Sequence, residues 1–195
     1  MKNQQKKLLQ SAIWVAFALV VLRCIISCKE ICAGISVFDF CGYIGEAIGI
    51  ATLLIGIYEK SLWRYNPLEK TPKLAKKYYG ILKSTYDGVE RQVVLEIKQS
   101  LLSVNVIMIS DESKSHSLSA SISEFFGEKR LTYCYLNTPK SEFRSRSQIH
   151  YGTATLTIEE SGSLTGQYYT DRQTKGDINL NVMKNNDDIN EIRLE

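Results

Sequence analysis

Apolar residues are distributed in two different ways along this chain. Leu8 to Ser27 reads LLQSAIWVAFALVVLRCIIS, nearly unbroken, with Arg23 its sole charge. Phe40 to Tyr58 reads FCGYIGEAIGIATLLIGIY and carries only Glu46. Each run is about 20 residues, the length an α-helix needs to cross roughly 30 Å of hydrocarbon. The short segment CKEICAGISVFD joins them. This pattern predicts two transmembrane helices, about 8–27 and 40–58, forming a hairpin within a segment 1–65. A basic start and an apolar centre also mark a cleaved signal peptide, but Arg23 interrupts this run and a second span follows at once. Such unbroken apolarity also disfavours a buried helical pair in a soluble protein.

From residue 66 onward the period changes to two. NPLEKTPK (66–73) is a polar, proline-bearing linker, followed by alternating runs bounded by turn residues. The runs fall at 76–86, 89–99, 101–110, 115–126, 129–137, 147–159, 162–171 and 174–184. Turns are expected at Asp87-Gly88, Ser161-Gly162 and Gln173-Thr174. Eight short strands with short connections predict an all-β, eight-stranded, up-and-down antiparallel barrel over 66–195, with a β-sandwich as the alternative. Such a barrel is either filled by side chains or just wide enough for one small ligand. Alternation assigns shared inward faces to Val93, Leu95 and Ile97; to Val104, Val106 and Met108; to Leu118, Ala120 and Ile122; and to Ile178, Leu180 and Val182. Leu131, Tyr133, Tyr135 and Asn137 share a further face, with Tyr133 read as packed core whose hydroxyl is satisfied.

Charge fixes the expected orientation. Lys2, Lys6 and Lys7 precede the first span and Lys60, Arg64 and Lys70 follow the second, whereas the joining loop holds Lys29. By the positive-inside rule both termini are cytoplasmic, in a bacterial inner membrane once the resemblance below is taken into account. Trp63 and Tyr65 are expected near the headgroups. Arg23 and Glu46 fall at similar depth in an antiparallel hairpin and are expected to pair, within or between chains, because a lone membrane charge is costly. Gly45 and Gly49 form a GxxxG pair on the second span, suited to close helix packing either against the first span or between chains. The formal net charge of +3 is too small for a nucleic-acid-coating protein, so polymeric nucleic acid is excluded as a partner.

Of the five cysteines, Cys24, Cys28 and Cys32 recur every four residues, but neither histidine lies near them in sequence, so no metal site is expected. Cys134 stands alone in the polar part, which is read as free of disulfides. No nucleophile–base motif is visible; His150 and the serines at 115, 117, 119 and 121 are present, but serines alternating along a strand usually form its solvated face. No catalytic residue and no enzymatic activity are assigned. Binding chemistry is richer. Tyr135, Tyr168 and Tyr169 offer faces for stacking on planar bases. Arg144, Arg146, Arg172 and Lys175 can meet phosphates. Asn137, Thr170, Asp171 and Thr174 can read polar edges, although Asp171 and Arg172 also suit an ion pair closing a hairpin. The ligand-binding set chosen is Tyr135, Asn137, Tyr169, Thr170, Arg172, Thr174 and Lys175.

The order of blocks is also informative. WRY (63–65) and PKLAKKYYGILKSTY (72–86) are followed by SHSLSASI (115–122), LTYCYLNTP (131–139), IHYGTATLTI (149–158) and LTGQYYTDRQTKGDINL (164–180). This resembles the two-transmembrane β-strand-rich effectors of bacterial CBASS, the anti-phage systems that signal with cyclic oligonucleotides. One departure lies in the first strand, where Ile81 and Leu82 follow Gly80 in place of a tryptophan. The resemblance implies a cytoplasmic barrel that binds a cyclic di- or trinucleotide made by a cognate nucleotidyltransferase. It also implies ligand-driven homo-oligomerisation against membrane lipid, loss of inner-membrane integrity and death of the infected cell. Two rival readings are a membrane-tethered carrier of an apolar small molecule and a scaffold with a filled barrel.

Overall fold

The computed structural model describes residues 2–30 and 36–183, with side chains described from residue 4 to 27 and from 36 to 183. It divides into two compact units, Met1–Lys70 with Ser100–Leu102, and Thr71–Gln99 with Ser103–Glu195. Cys32, the side chains of Cys28 and Lys29, and the acidic tail from residue 185 lie outside the described residues.

The first unit is a helical pair, α1 (Lys2–Glu30) and α2 (Val37–Lys60). Ser36 caps α2 by accepting the Phe38 amide at 3.2 Å. Both helices are long and apolar enough to cross a membrane. Arg23 and Glu46 pair within the hairpin at 3.7 Å, and the Arg23 guanidinium sits 5.3 Å from the Tyr43 ring centre. The Ser27 hydroxyl donates to the Tyr43 hydroxyl at 2.9 Å. The face of α2 toward α1 is made by Ala47 and Ala51, both buried. A Cβ added at Gly45 or Gly49 would meet nothing within 4 Å, so the glycine stripe is not what packs α2 on α1. Tyr65 is exposed as expected, but Trp63 is fully buried, which corrects its assignment as a headgroup anchor.

The second unit is a closed barrel of eight antiparallel strands in sequence order. They are β1 (Lys77–Ser84), β2 (Glu90–Gln99), β3 (Val104–Ser110), β4 (Ser113–Phe125), β5 (Glu128–Pro139), β6 (His150–Ile158), β7 (Leu164–Thr170) and β8 (Lys175–Val182). β8 returns to pair with β1 from Tyr78↔Val182 to Ser84↔Gly176, which leaves no open edge. All three expected turns are present, with positive φ at Gly88, Gly162 and Gln173. A further tight turn at Phe126-Gly127, with φ of 51° and 81°, joins β4 to β5.

The interior is half filled. Tyr78, Leu95, Ile97, Val104, Val106, Leu131, Leu156, Leu164 and Leu180 pack into one apolar core. The segment before β1 seals that end, since Leu74 joins the core and the Ala75 amide donates to the Tyr78 hydroxyl at 2.9 Å. The Gln99 side chain fastens it by donating to the Pro72 carbonyl and accepting the Leu74 amide. The far end, where β1 reaches Ser84, stays open.

One strand departs from simple alternation. The β4–β5 register moves from Ser117↔Tyr135 to Ser119↔Cys134, so Leu118 is an extra residue. This bulge reverses the in–out parity of β4. Ala120 and Ile122 pack on the core as expected, but Leu118 is 63% exposed, which corrects its inward assignment. Before the bulge the odd-numbered serines turn inward instead. Ser115 is buried, and Ser117 Oγ accepts the Val106 amide at 2.9 Å.

Candidate functional site

The open end of the barrel leads into a cavity of about 250 Å³. Its walls are Leu82, Val93, Met108, Tyr133, Tyr135 and Ile178, with Tyr168 on the β7 side. Polar groups gather toward the mouth, where the hairpins after β1, β3, β5 and β7 converge.

Two tyrosines owe their placement to glycines on the neighbouring strand. Tyr135 pairs across with Gly152, and Tyr168 with Gly176. A Cβ at Gly152 would run into the Tyr135 ring, and one at Gly176 would stand 2.6 Å from Tyr168 Cε1. Each ring therefore occupies the space a side chain would otherwise fill. Burial pushes the hydroxyl pKa of both tyrosines upward, so both stay neutral donors at physiological pH.

The same burial acts on Tyr133, whose hydroxyl is buried and has no hydrogen-bond partner among the described residues. Its ring is core, as expected, but the expected satisfied hydroxyl is not found. Its centroid lies 5.8 Å from that of Tyr135.

Three arginines face the mouth, and they differ in how far they are already neutralised. Arg91 is bound by Asp87, at 2.5 Å, and approaches Glu112 at 3.5 Å. The hydrogen bond from Arg91 holds the Asp87 carboxyl down at about 2. Arg146 is bound by the other Glu112 oxygen at 2.8 Å. Arg172 touches only the Ser147 hydroxyl, at 3.4 Å, and among the described residues no carboxylate lies within ion-pairing distance of it. Asp171 does not pair with Arg172. It turns to β6 instead, where its carboxylate accepts the Tyr151 amide at 3.2 Å.

Of the chosen set, Tyr135, Asn137, Thr170, Arg172 and Thr174 come together as lining residues of the cavity. Thr170 and Thr174 brace the β7–β8 turn through a 2.6 Å contact between their hydroxyls, which fixes the backbone carrying Arg172. Tyr169 and Lys175 are a cross-strand pair on the outer face, and neither lines the cavity. Tyr169 is 51% exposed, and its hydroxyl donates to Gln167 at 2.9 Å. The inward tyrosine of the pair is Tyr168, because β7 alternates and Tyr168 sits opposite Gly176. Of the other candidate phosphate groups, Arg146 lines the cavity and Arg144 does not.

The sequence reading missed Ser84, Ser115, Arg91 and Glu112 as lining residues. Ser115 and Arg91 carried no local signal, since the first depends on parity around a bulge and the second on barrel closure. Tyr168 had a signal: a glycine on the adjacent strand in the register that would seat its ring. Among the described residues no cluster of three metal-ligating side chains forms.

Two comparisons with known proteins bear on this site. Residues 69–182 match the family model described as Cap15, cyclic dinucleotide receptor domain. The chain is also 31% identical over 189 residues to CD-NTase-associated protein 15 of Staphylococcus schleiferi, covering 94% of this chain and 100% of that one. A match across the barrel and a relative spanning nearly the whole chain agree with each other and with the observed fold. On these grounds the chain belongs to the Cap15 family, the family of the cyclic dinucleotide receptor domain.

Proposed function

We infer that this protein is a CBASS effector whose barrel takes a cyclic dinucleotide at its open end, and that the bound ligand drives self-association and disruption of the bacterial inner membrane. The observation that carries the reading is the half-filled barrel. Its cavity opens between neutral tyrosine rings and an arginine that has no carboxylate partner among the described residues. Rings suit bases and a free guanidinium suits a phosphodiester. An apolar carrier calls for an apolar entrance, whereas Asp87, Arg91, Glu112, Arg146 and Arg172 ring this one. A filled scaffold has no cavity. The family supports a dinucleotide over a trinucleotide.

The helical unit supports the membrane step. Trp14, Phe17, Leu53 and Ile57 present exposed apolar surface of the kind that faces lipid. Basic residues flank both ends, which favours cytoplasmic termini. The unengaged stripe of Gly45 and Gly49 is free for contact between copies.

Dye release from anionic vesicles holding the full chain tests this directly. Release is expected only when a cyclic dinucleotide that binds the protein is added. Release without nucleotide, or tight binding with no release, would overturn the membrane-disruption step.

A further inference from the structure

One row of side chains crosses β4, β5 and β6 at a single level of the barrel. Ser115 is the register partner of Asn137, and Asn137 of His150. All three are buried and line the cavity. The Ser115 hydroxyl donates to Asn137 Oδ1 at 2.8 Å, which occupies the amide oxygen. The Asn137 amide nitrogen keeps its two N–H groups, for which no protein acceptor is present among the described residues.

His150 Nδ1 lies 2.9 Å from the Gln148 carbonyl oxygen. A carbonyl only accepts, so Nδ1 carries the hydrogen and Nε2 of the neutral ring is a bare acceptor. A donor and an acceptor thus belong to directly opposed residues of the cavity wall.

Their complement is an acceptor beside a donor, which is what the edge of a nucleobase presents. A phosphate presents acceptors alone. It would meet the Asn137 donor but be repelled by the lone pair on His150. Arg172, the arginine without a carboxylate partner among the described residues, stands at the mouth and not in this row. The volume points the same way. About 250 Å³ is below the roughly 300–1,000 Å³ that encloses a drug-sized ligand, so only part of a cyclic dinucleotide fits within.

We propose that the Ser115–Asn137–His150 row is a base-reading subsite, so that the ligand enters with one base first and leaves its phosphates at Arg172. Asn137 and His150 are then specificity-determining residues, with Ser115 orienting the Asn137 amide. This rests on the cyclic dinucleotide reading above.

The test is a binding titration of the full chain in detergent against 3′,3′-linked cyclic dinucleotides that differ only in their bases: diadenylate, diguanylate, diuridylate and the mixed pairs. The variants are Asn137→Asp and Arg172→Ala. Asn137→Asp keeps the shape and the Ser115 bond but replaces a donor by an acceptor. It is expected to reorder the panel, changing the ratio between the best and worst members by roughly tenfold or more. Arg172→Ala is expected to weaken every binding member by a similar factor and to preserve the order.

If Asn137→Asp scales all members equally, it acts only as an added negative charge, and the base-reading row is refuted. Equal affinity of the wild type for every member would refute it too. Binding of no member would instead overturn the nucleotide reading itself, and the subsite with it.

Discussion

Tyr133 carries a buried hydroxyl with no partner among the described residues, an arrangement that lowers stability in the empty barrel. Tyr133→Phe removes the oxygen and keeps the ring. The variant is expected to be more stable than wild type by about 1 kcal/mol, measured by urea unfolding. A loss of stability would mean that the hydroxyl is satisfied in solution.

His150 gives the residue scale a pH signature. Burial lowers its pKa below the ordinary value, the neighbouring Arg172 charge adds to this, and the Gln148 carbonyl opposes it. The folded chain therefore holds His150 neutral where the unfolded chain is protonated. Its contribution is complete above about pH 6.5 and declines as pH falls from there toward the lowered folded value. Melting curves of wild type and His150→Gln between about pH 7.5 and 5 should diverge at the acidic end, with the wild type losing more. Parallel curves would contradict the neutral assignment.

Among elements, the decisive pairings are tyrosine over glycine. Gly152→Ala places a methyl group inside the Tyr135 ring and 2.7 Å from the Tyr169 carbonyl oxygen, which cannot give way as a side chain can. Overpacking of this kind typically costs about 1–3 kcal/mol. The variant is expected to lose stability in that range and to bind nucleotide more weakly, since the displaced ring intrudes on the cavity. Unchanged stability would show that Tyr135 moves freely.

These elements also show why some of the site was legible and some was not. Strand number, order and turn positions followed from period-two runs and turn residues, which are local properties. The face shared by Leu131, Tyr133, Tyr135 and Asn137 was readable because β5 alternates without interruption. Which member of Tyr168 and Tyr169 faces in was not legible from β7 alone, because both are tyrosine and the strand is short; the signal lay in Gly176 on the neighbouring strand. The parity of β7 is set by that glycine. Leu118 was misplaced because one bulged residue reverses parity, and nothing in SHSLSASI marks where the extra residue lies. The place of Arg172 in the cavity lining was legible because it follows the end of a strand in a short turn. That Arg91 and Arg146 are quenched by Glu112 depends on three segments meeting only after closure.

For the whole molecule, the proposed function couples ligand binding to membrane damage through association, since a ligand shifts an equilibrium only by binding one state better than another. A Cβ added at Gly45 or Gly49 meets nothing within 4 Å, so these positions lie off the α1–α2 contact. Replacing both by isoleucine is expected to abolish nucleotide-dependent assembly in cross-linking while nucleotide still binds, with the weaker affinity of the unassembled form. Assembly at wild-type level would move the association surface to the barrel. Arg23 and Glu46 lie 3.7 Å apart within one hairpin, so this pair forms without a second copy.

The most direct test of the central claim is thermal unfolding of the full chain in detergent with and without each cyclic dinucleotide. A ligand that binds only the folded barrel stabilises it by about 2.7 kcal/mol when present at 100 times its Kd. At least one member should raise the melting temperature by several degrees in a concentration-dependent way, and Arg172→Ala should reduce that rise. A melting temperature unmoved by every member at high concentration would contradict the claim that this cavity is a cyclic dinucleotide receptor site.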